Sequence, residues 1–145
     1  MTNRQINLFK GCSMENWNLI IVGAGSAGLA AGIYGARSGL KTLLLEEKMA
    51  GGTTADAPLV ENYLGFQSIS GIELAQKMAS HCRRTGVTIR EFEKVVTLDF
   101  KGDEKIVKTT KDTYEAKAII IASGSHYREM DVPGEKGFRG RGVSD

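Results

Sequence analysis

Three glycines, Gly23, Gly25 and Gly28, stand in G-x-G-x-x-G spacing inside the stretch LIIVGAGSAGLAAGIYGARSGLKTLLLEE, which ends on two acids, Glu46 and Glu47. The chemistry open to such a set is the holding of a phosphate rather than the making of a bond. Gly23 permits a tight turn, Gly25 removes a side chain where a diphosphate must approach the main chain, and Gly28 lets helix and strand pack closely. The first-turn N–H groups of the helix that follows have no internal acceptor, and together with the helix dipole they favour an anion. Glu46 lies close to the ~20-residue distance at which an acid at the end of the next strand accepts hydrogen bonds from ribose hydroxyls. A carboxylate there repels a 2′-phosphate, so a free ribose is favoured over NADP. Glu47 alternates to the other side of the strand end and reads as a solvated acid.

These residues need a strand, a helix and a second strand to position them. Residues 17–22 form a short apolar run with a buried-strand pattern, residues 27–37 carry nothing that breaks a helix apart from tolerated glycines, and Gly39 closes that helix. KTLLLE returns as a strand. Strand, helix and strand within about 30 residues make one βαβ unit, with parallel strands and a right-handed crossover. A Gly-, Thr- and Ala-rich loop follows, and GIELAQKMASHCRRTG then predicts a helix over 71–85, with Ile72, Ala75, Met78, Ala79 and Cys82 on its apolar face and His81 off it. VTIREF predicts a third strand of the sheet. KVVTLDF, KIVKTT and TYEAK predict a β-meander, and AIIIASGS predicts a separate buried strand, Ala118 to Ala122, ending in the small residues Ser123 and Gly124. The expected fold class is therefore α/β: a Rossmann-like dinucleotide-binding domain with a parallel sheet and a β-meander crossover. A simple doubly wound NAD dehydrogenase places a helix where this chain places hairpins, so the meander opposes an NAD-binding module while Glu46 favours one, and the site could hold NAD or FAD.

Composition bounds the rest. The 145 residues suit one domain, and Lys and Arg at 19 against Asp and Glu at 17 give a net charge of +2, with no basic stripe for nucleic acid. No apolar run approaches the ~20 residues of a bilayer span, and MTNRQINLFKGCS lacks the apolar core of a secretory signal. Residues 1–15 read as a disordered extension, with the folded domain over 16–145. The two cysteines, Cys12 and Cys82, are too few and too unpatterned for a disulfide framework or a metal site, which fits a cytoplasmic protein. Cys82 reads as a core residue.

Taken in order, GAGSAG, LLLEE, AGG, VENYLGF, AIIIASGS, VPGE and GRGVSD resemble the amino-terminal half of the thioredoxin reductase family of flavoproteins, particularly the prokaryotic low-molecular-weight type. The resemblance implies an FAD site in which Gly23, Gly25, Ser26, Ala27 and Gly28 hold the diphosphate and Glu46 the ribose. It further implies Gly52 and Asn62 near the ribityl chain and flavin, the main chain at Lys94 and Val95 against the adenine, and Ala122, Ser123 and Gly124 closing over the cofactor. It also implies a flavin-dependent disulfide reductase, a homodimer when full length, with thioredoxin or a similar dithiol protein as partner and NAD(P)H engaged by a further domain. Thr53 and Thr54 stand where many relatives carry a Gln near the flavin, and His126 and Arg128 take no role from the resemblance. In the family GRGVS is followed by a Cys-x-x-Cys pair; this chain stops at Asp145, so the resemblance implies a fragment with no catalytic residue of its own. A thioredoxin reductase-like ferredoxin–NADP reductase, which lacks the dithiol, shares the same first domain and stays open as an alternative.

Overall fold

The computed structural model describes residues 15–102, 104–125, 131–138 and 141–142. Residues 1–14, Cys12 among them, and His126, Arg128 and Asp145 lie outside the described residues, while Glu15, expected in the extension, is the first residue of a strand. The chain runs β1 (Glu15–Val22), α1 (Ser26–Arg37), β2 (Thr42–Leu45), a 3-10 turn (Gly52–Asp56), α2 (Gly71–Arg84), β3 (Thr88–Arg90), β4 (Val95–Lys101), β5 (Glu104–Thr109), β6 (Thr113–Ile121) and the short α3 (Glu135–Phe138). Six strands form one sheet in the order β3-β2-β1-β6-β5-β4. β3, β2, β1 and β6 are mutually parallel, while β6, β5 and β4 form the antiparallel meander.

Burial on both faces explains why the central strands read as continuous apolar runs. Leu19, Ile21 and Leu44 pack with Leu29 of α1 and with Ala79 and Cys82 of α2 on one face. Ile20, Leu43 and Leu45 pack with Val107 and Tyr114 of the meander on the other. Helix α1 ends as its glycine predicts: Gly39 takes φ 75° and Leu40 N–H donates back to the Gly35 carbonyl at 3.1 Å. Helix α2 starts from Ser70, whose side chain accepts from the Glu73 N–H at 3.2 Å, a capping contact that satisfies one otherwise unpaired donor. Cys82 is fully buried, its Sγ filling the space that a side chain at Gly32 would take. Burial pushes its thiol above the ordinary value, which keeps it protonated and inert.

Two expectations are corrected. TYEAK and AIII are one strand, β6, which ends at Ile121, rather than a meander strand followed by a separate one. Its first half pairs antiparallel with β5, and its whole length pairs parallel with β1. Nor is its carboxyl half buried, since Ala118, Ile120 and Ile121 are exposed. On α2 the buried stripe is Gly71, Leu74, Ala75, Ala79 and Cys82, so Ile72, 60% exposed, is off the apolar face and Leu74 is on it. Gly71 sets that rotation: a Cβ there would lie 2.2 Å from the Thr54 carbonyl oxygen and 2.4 Å from that of Ala57, so the helix docks by its first residue against the 3-10 turn.

Candidate functional site

The chain leaves β1 for β2 and β3 on one side and returns to β6 on the other, so the sheet's topological switch point lies at the carboxyl ends of β1 and β6. Ligands of open α/β sheets bind in the crevice at such a point. The glycine turn sits there. Gly23 N–H donates to Leu45 O at 2.8 Å and Ala122 N–H to Val22 O at 2.8 Å, which fastens the turn to both neighbouring strands.

Each glycine of the motif answers a different demand. Gly23 takes φ 102°, and a Cβ on it would stand 2.3 Å from the Ala122 carbonyl oxygen. A Cβ on Gly28 would stand 1.8 Å from the Gly23 carbonyl oxygen and 3.5 Å from the Ala122 Cβ, so this glycine serves close packing of helix and strand. Gly25 differs from both. Its backbone is extended (φ −72°, ψ −177°), and a Cβ on it would meet only the Gly52 Cα, at 3.9 Å. Among the described residues, packing therefore leaves room for a side chain at position 25.

Gly25 is also the N-cap of α1, which has no side-chain cap hydrogen bond and no acid in its first turn. Ser26 and Ala27 are exposed. The positive end of a 12-residue helix thus faces outward with its first N–H groups uncapped, which suits a diphosphate. Gly52 closes one side: the Gly51 N–H donates to the Ala24 carbonyl at 2.8 Å, and a Cβ on Gly52 would press to 2.9 Å from the Gly25 Cα.

Glu46 reaches the same turn. Its Oε2 accepts from the Ala24 N–H at 2.7 Å and its Oε1 from the Lys48 N–H at 2.9 Å. An ionised carboxylate offers about four acceptor directions, so two amides fix its orientation and leave capacity for a diol. Replacing Glu46 with Gln leaves one of those amides facing an NH2 group, and nucleotide affinity is expected to fall about tenfold, which isothermal titration checks. Glu47 is exposed as expected, and its carboxylate pairs with Lys94 Nζ at 2.9 Å.

The other expected residues divide into two groups. Ala122, Ser123 and Gly124 adjoin the turn, with the Ser123 Cα 3.0 Å from a Cβ built on Gly23 and Gly124 at φ 72° with open space beside it. Lys94 and Val95 follow Glu93, whose N–H donates to the Glu46 carbonyl at 2.8 Å, so they adjoin the end of β2. Asn62 is exposed and lines a shallow hollow made wholly of its own loop, residues 61–67. Thr53 and Thr54 lie in the 3-10 turn that follows Gly52.

Two carboxylates at this end of the sheet escaped the sequence reading. Glu91 accepts from the Ala50 N–H at 2.8 Å and pairs with Arg83 at 2.8 Å, holding the loop ahead of Gly51 and Gly52 to α2. Glu93 is buried, with Tyr114 and Thr109 as donors. Burial, and then Glu93 itself, push the Tyr114 hydroxyl well above the ordinary tyrosine range, so it stays a donor. Among the described residues, no group of three His, Cys, Asp or Glu side chains could hold a metal ion, and no helix is long and apolar enough to cross a membrane.

The residues present fit a dinucleotide, and comparison with known proteins agrees. The model of the pyridine nucleotide-disulphide oxidoreductase family matches residues 17–145. The chain is 43% identical over 128 residues to a thioredoxin reductase of Bacillus subtilis, covering 88% of this chain and 40% of that protein. It superposes on the crystal structure of T. acidophilum thioredoxin reductase with a TM-score of 0.79 at 43% identity, over 88% of this chain and 42% of the other. A ferredoxin-flavin thioredoxin reductase from Clostridium acetobutylicum matches with a TM-score of 0.72 at 34% identity, over 91% of this chain and 45% of the other. The chain thus spans about two-fifths of the length of the relatives it matches. With the glycine turn, the acid at the end of β2 and the meander all in family order, the chain belongs to the pyridine nucleotide-disulphide oxidoreductase family.

Proposed function

We propose that residues 16–145 are the FAD-binding portion of a thioredoxin reductase-like flavoprotein disulfide reductase. One observation carries this reading: position 25 has room for a side chain on the protein's side yet holds a glycine, directly over the bare amino terminus of α1. The diphosphate of FAD would lie over Gly23, Gly25, Ser26, Ala27 and Gly28, with the ribose on Glu46 and the adenine along Lys94 and Val95. Ala122, Ser123 and Gly124 would flank the flavin side, and Gly52 and Asn62 would approach the ribityl chain and flavin. When bound, flavin supplies two-electron transfer between a donor and a disulfide; this chain's residues bind it, orient it and set its adenosine selectivity. The 145 residues contain no Cys-x-x-Cys, so the dithiol step is assigned to residues other than these.

For the whole protein the reading implies thioredoxin or a similar dithiol protein as partner, a homodimer, and a cytoplasmic setting. These residues are similar both to a thioredoxin reductase, at 43% identity, and to a ferredoxin-flavin thioredoxin reductase, at 34%, so the reading leaves the electron donor open. The test is a fluorescence titration of the purified chain with FAD and, separately, with NAD. Saturable quenching of flavin emission with FAD, and weaker binding of NAD, are expected. No response to FAD, or tighter binding of NAD, overturns the proposal.

A further inference from the structure

Glu93 is one of three buried polar or charged residues among those described, at 2% exposed, and its side chain bonds to Thr109 and Tyr114 rather than to the glycine turn. A carboxylate is taken out of water only where hydrogen bonds replace its solvation. Here its Oε1 accepts from the Thr109 hydroxyl at 2.7 Å and from the Tyr114 hydroxyl at 2.5 Å. Tyr114 in turn accepts from Arg90 Nη1 at 2.7 Å, and the guanidinium lies 5.1 Å from the Tyr114 ring centroid. Arg90 also pairs with Glu15 at 2.9 Å. The network ties the residue ahead of β4 to β3, to the first residue of β1, to the end of β5 and to β6.

The main chain around Glu93 is held as firmly. Phe92 takes φ 56°, a conformation that bulky residues adopt only where their surroundings over-determine it. The Phe92 N–H donates to Lys48 O at 3.2 Å, the Glu93 N–H to Glu46 O at 2.8 Å, and Lys94 O accepts from the Thr110 N–H at 2.9 Å. Residues 92–94 therefore bridge the carboxyl end of β2, where Glu46 stands, and the turn between β5 and β6. Phe92 is 62% exposed, so its burial contributes little to holding this backbone in place. The inward anchor is the Glu93 side chain.

We propose that Glu93 is a positioning residue for the adenosine end of the dinucleotide site. Its buried carboxylate locks the 92–94 turn, and the turn sets both the carbonyl behind Glu46 and the main chain of Lys94 and Val95. This rests on the FAD reading above, because the geometry has a nucleotide to serve only if the glycine turn holds a diphosphate.

The test measures binding of FAD and of ADP, which carries the adenosine and diphosphate without the flavin, to the 145-residue chain and to Glu93→Gln, well below each melting midpoint so that lost stability alone does not lower affinity. FAD and ADP affinities are expected to fall together by about tenfold, with the absorbance spectrum of bound flavin unchanged. Tyr114→Phe removes one of the two hydroxyl donors and keeps the packed ring; it is expected to lower both affinities in the same ratio by about threefold, and it stands in for Glu93→Gln if that variant does not fold. Unchanged ADP affinity in the folded variants overturns the positioning role while leaving the FAD site standing. Failure of the wild-type chain to bind either ligand overturns both.

Discussion

Gly28→Ala is expected to destabilise the protein by about 3 kcal/mol, lowering its thermal midpoint by about 10 °C. An alanine inside a helix ordinarily gains up to about 1 kcal/mol over glycine, so helix propensity predicts the opposite sign. Contact decides it. The new Cβ would stand 1.8 Å from the Gly23 carbonyl oxygen and 3.0 Å from its carbon, and neither is the end of a flexible side chain. Relief requires α1 to lift away from β1, which loosens the cluster of Leu19, Ile21, Leu29 and Cys82 and opens the turn. Nucleotide binding is expected to be lost along with stability, because the first-turn N–H groups proposed to hold the diphosphate move with the helix. Differential scanning calorimetry of the wild-type and variant chains checks the magnitude.

Gly25→Ala is expected to separate those two effects. The backbone at φ −72° suits any L residue, and the added methyl would meet only the Gly52 Cα at 3.9 Å. Glycine outranks alanine as an N-cap, so a loss of up to about 1 kcal/mol is expected from capping. FAD affinity, by contrast, is expected to fall by at least about a hundredfold, since the methyl group projects where phosphate oxygens must approach the first-turn N–H groups. Circular dichroism melting beside a flavin titration reads both quantities. A variant that melts well below the wild type would mean that the glycine is structural, as Gly28 is.

The parts of this fold that local pattern dictates were legible in the sequence. β1, α1 and β2 follow from an apolar run, a spaced set of glycines and a second apolar run, and the structure places the turn and Glu46 together through the Ala24–Glu46 hydrogen bond. The rest depends on partners distant in sequence. β6 reads as two strands because its neighbours differ along its length: the residues from Thr113 to Ala116 lie between β1 and β5, whereas Ala118 to Ile121 pair only with β1. The apolar pattern changes where the partners change. Ile72 suits a helical stripe as well as Leu74 does, and the docking of Gly71 on the carbonyls of Thr54 and Ala57 selects between them. Glu93 sits between Phe92 and Lys94 like a solvated loop acid; its burial is set by Thr109 and Tyr114, 16 and 21 residues further on. Hydrophobic periodicity carries no record of such a network.

The central claim is that the turn from Gly23 to Gly28, with Glu46, holds the diphosphate and ribose of an adenine dinucleotide. Amide chemical-shift mapping of the isotopically labelled chain during titration with FAD tests it most directly. The account predicts the largest shifts at Gly25, Ser26, Ala27 and Gly28, with a second set at Ala24 and Lys48, whose N–H groups report on the Glu46 carboxylate. Shifts confined to the hollow of residues 61–67, with the amides of the turn unmoved at saturation, would contradict it.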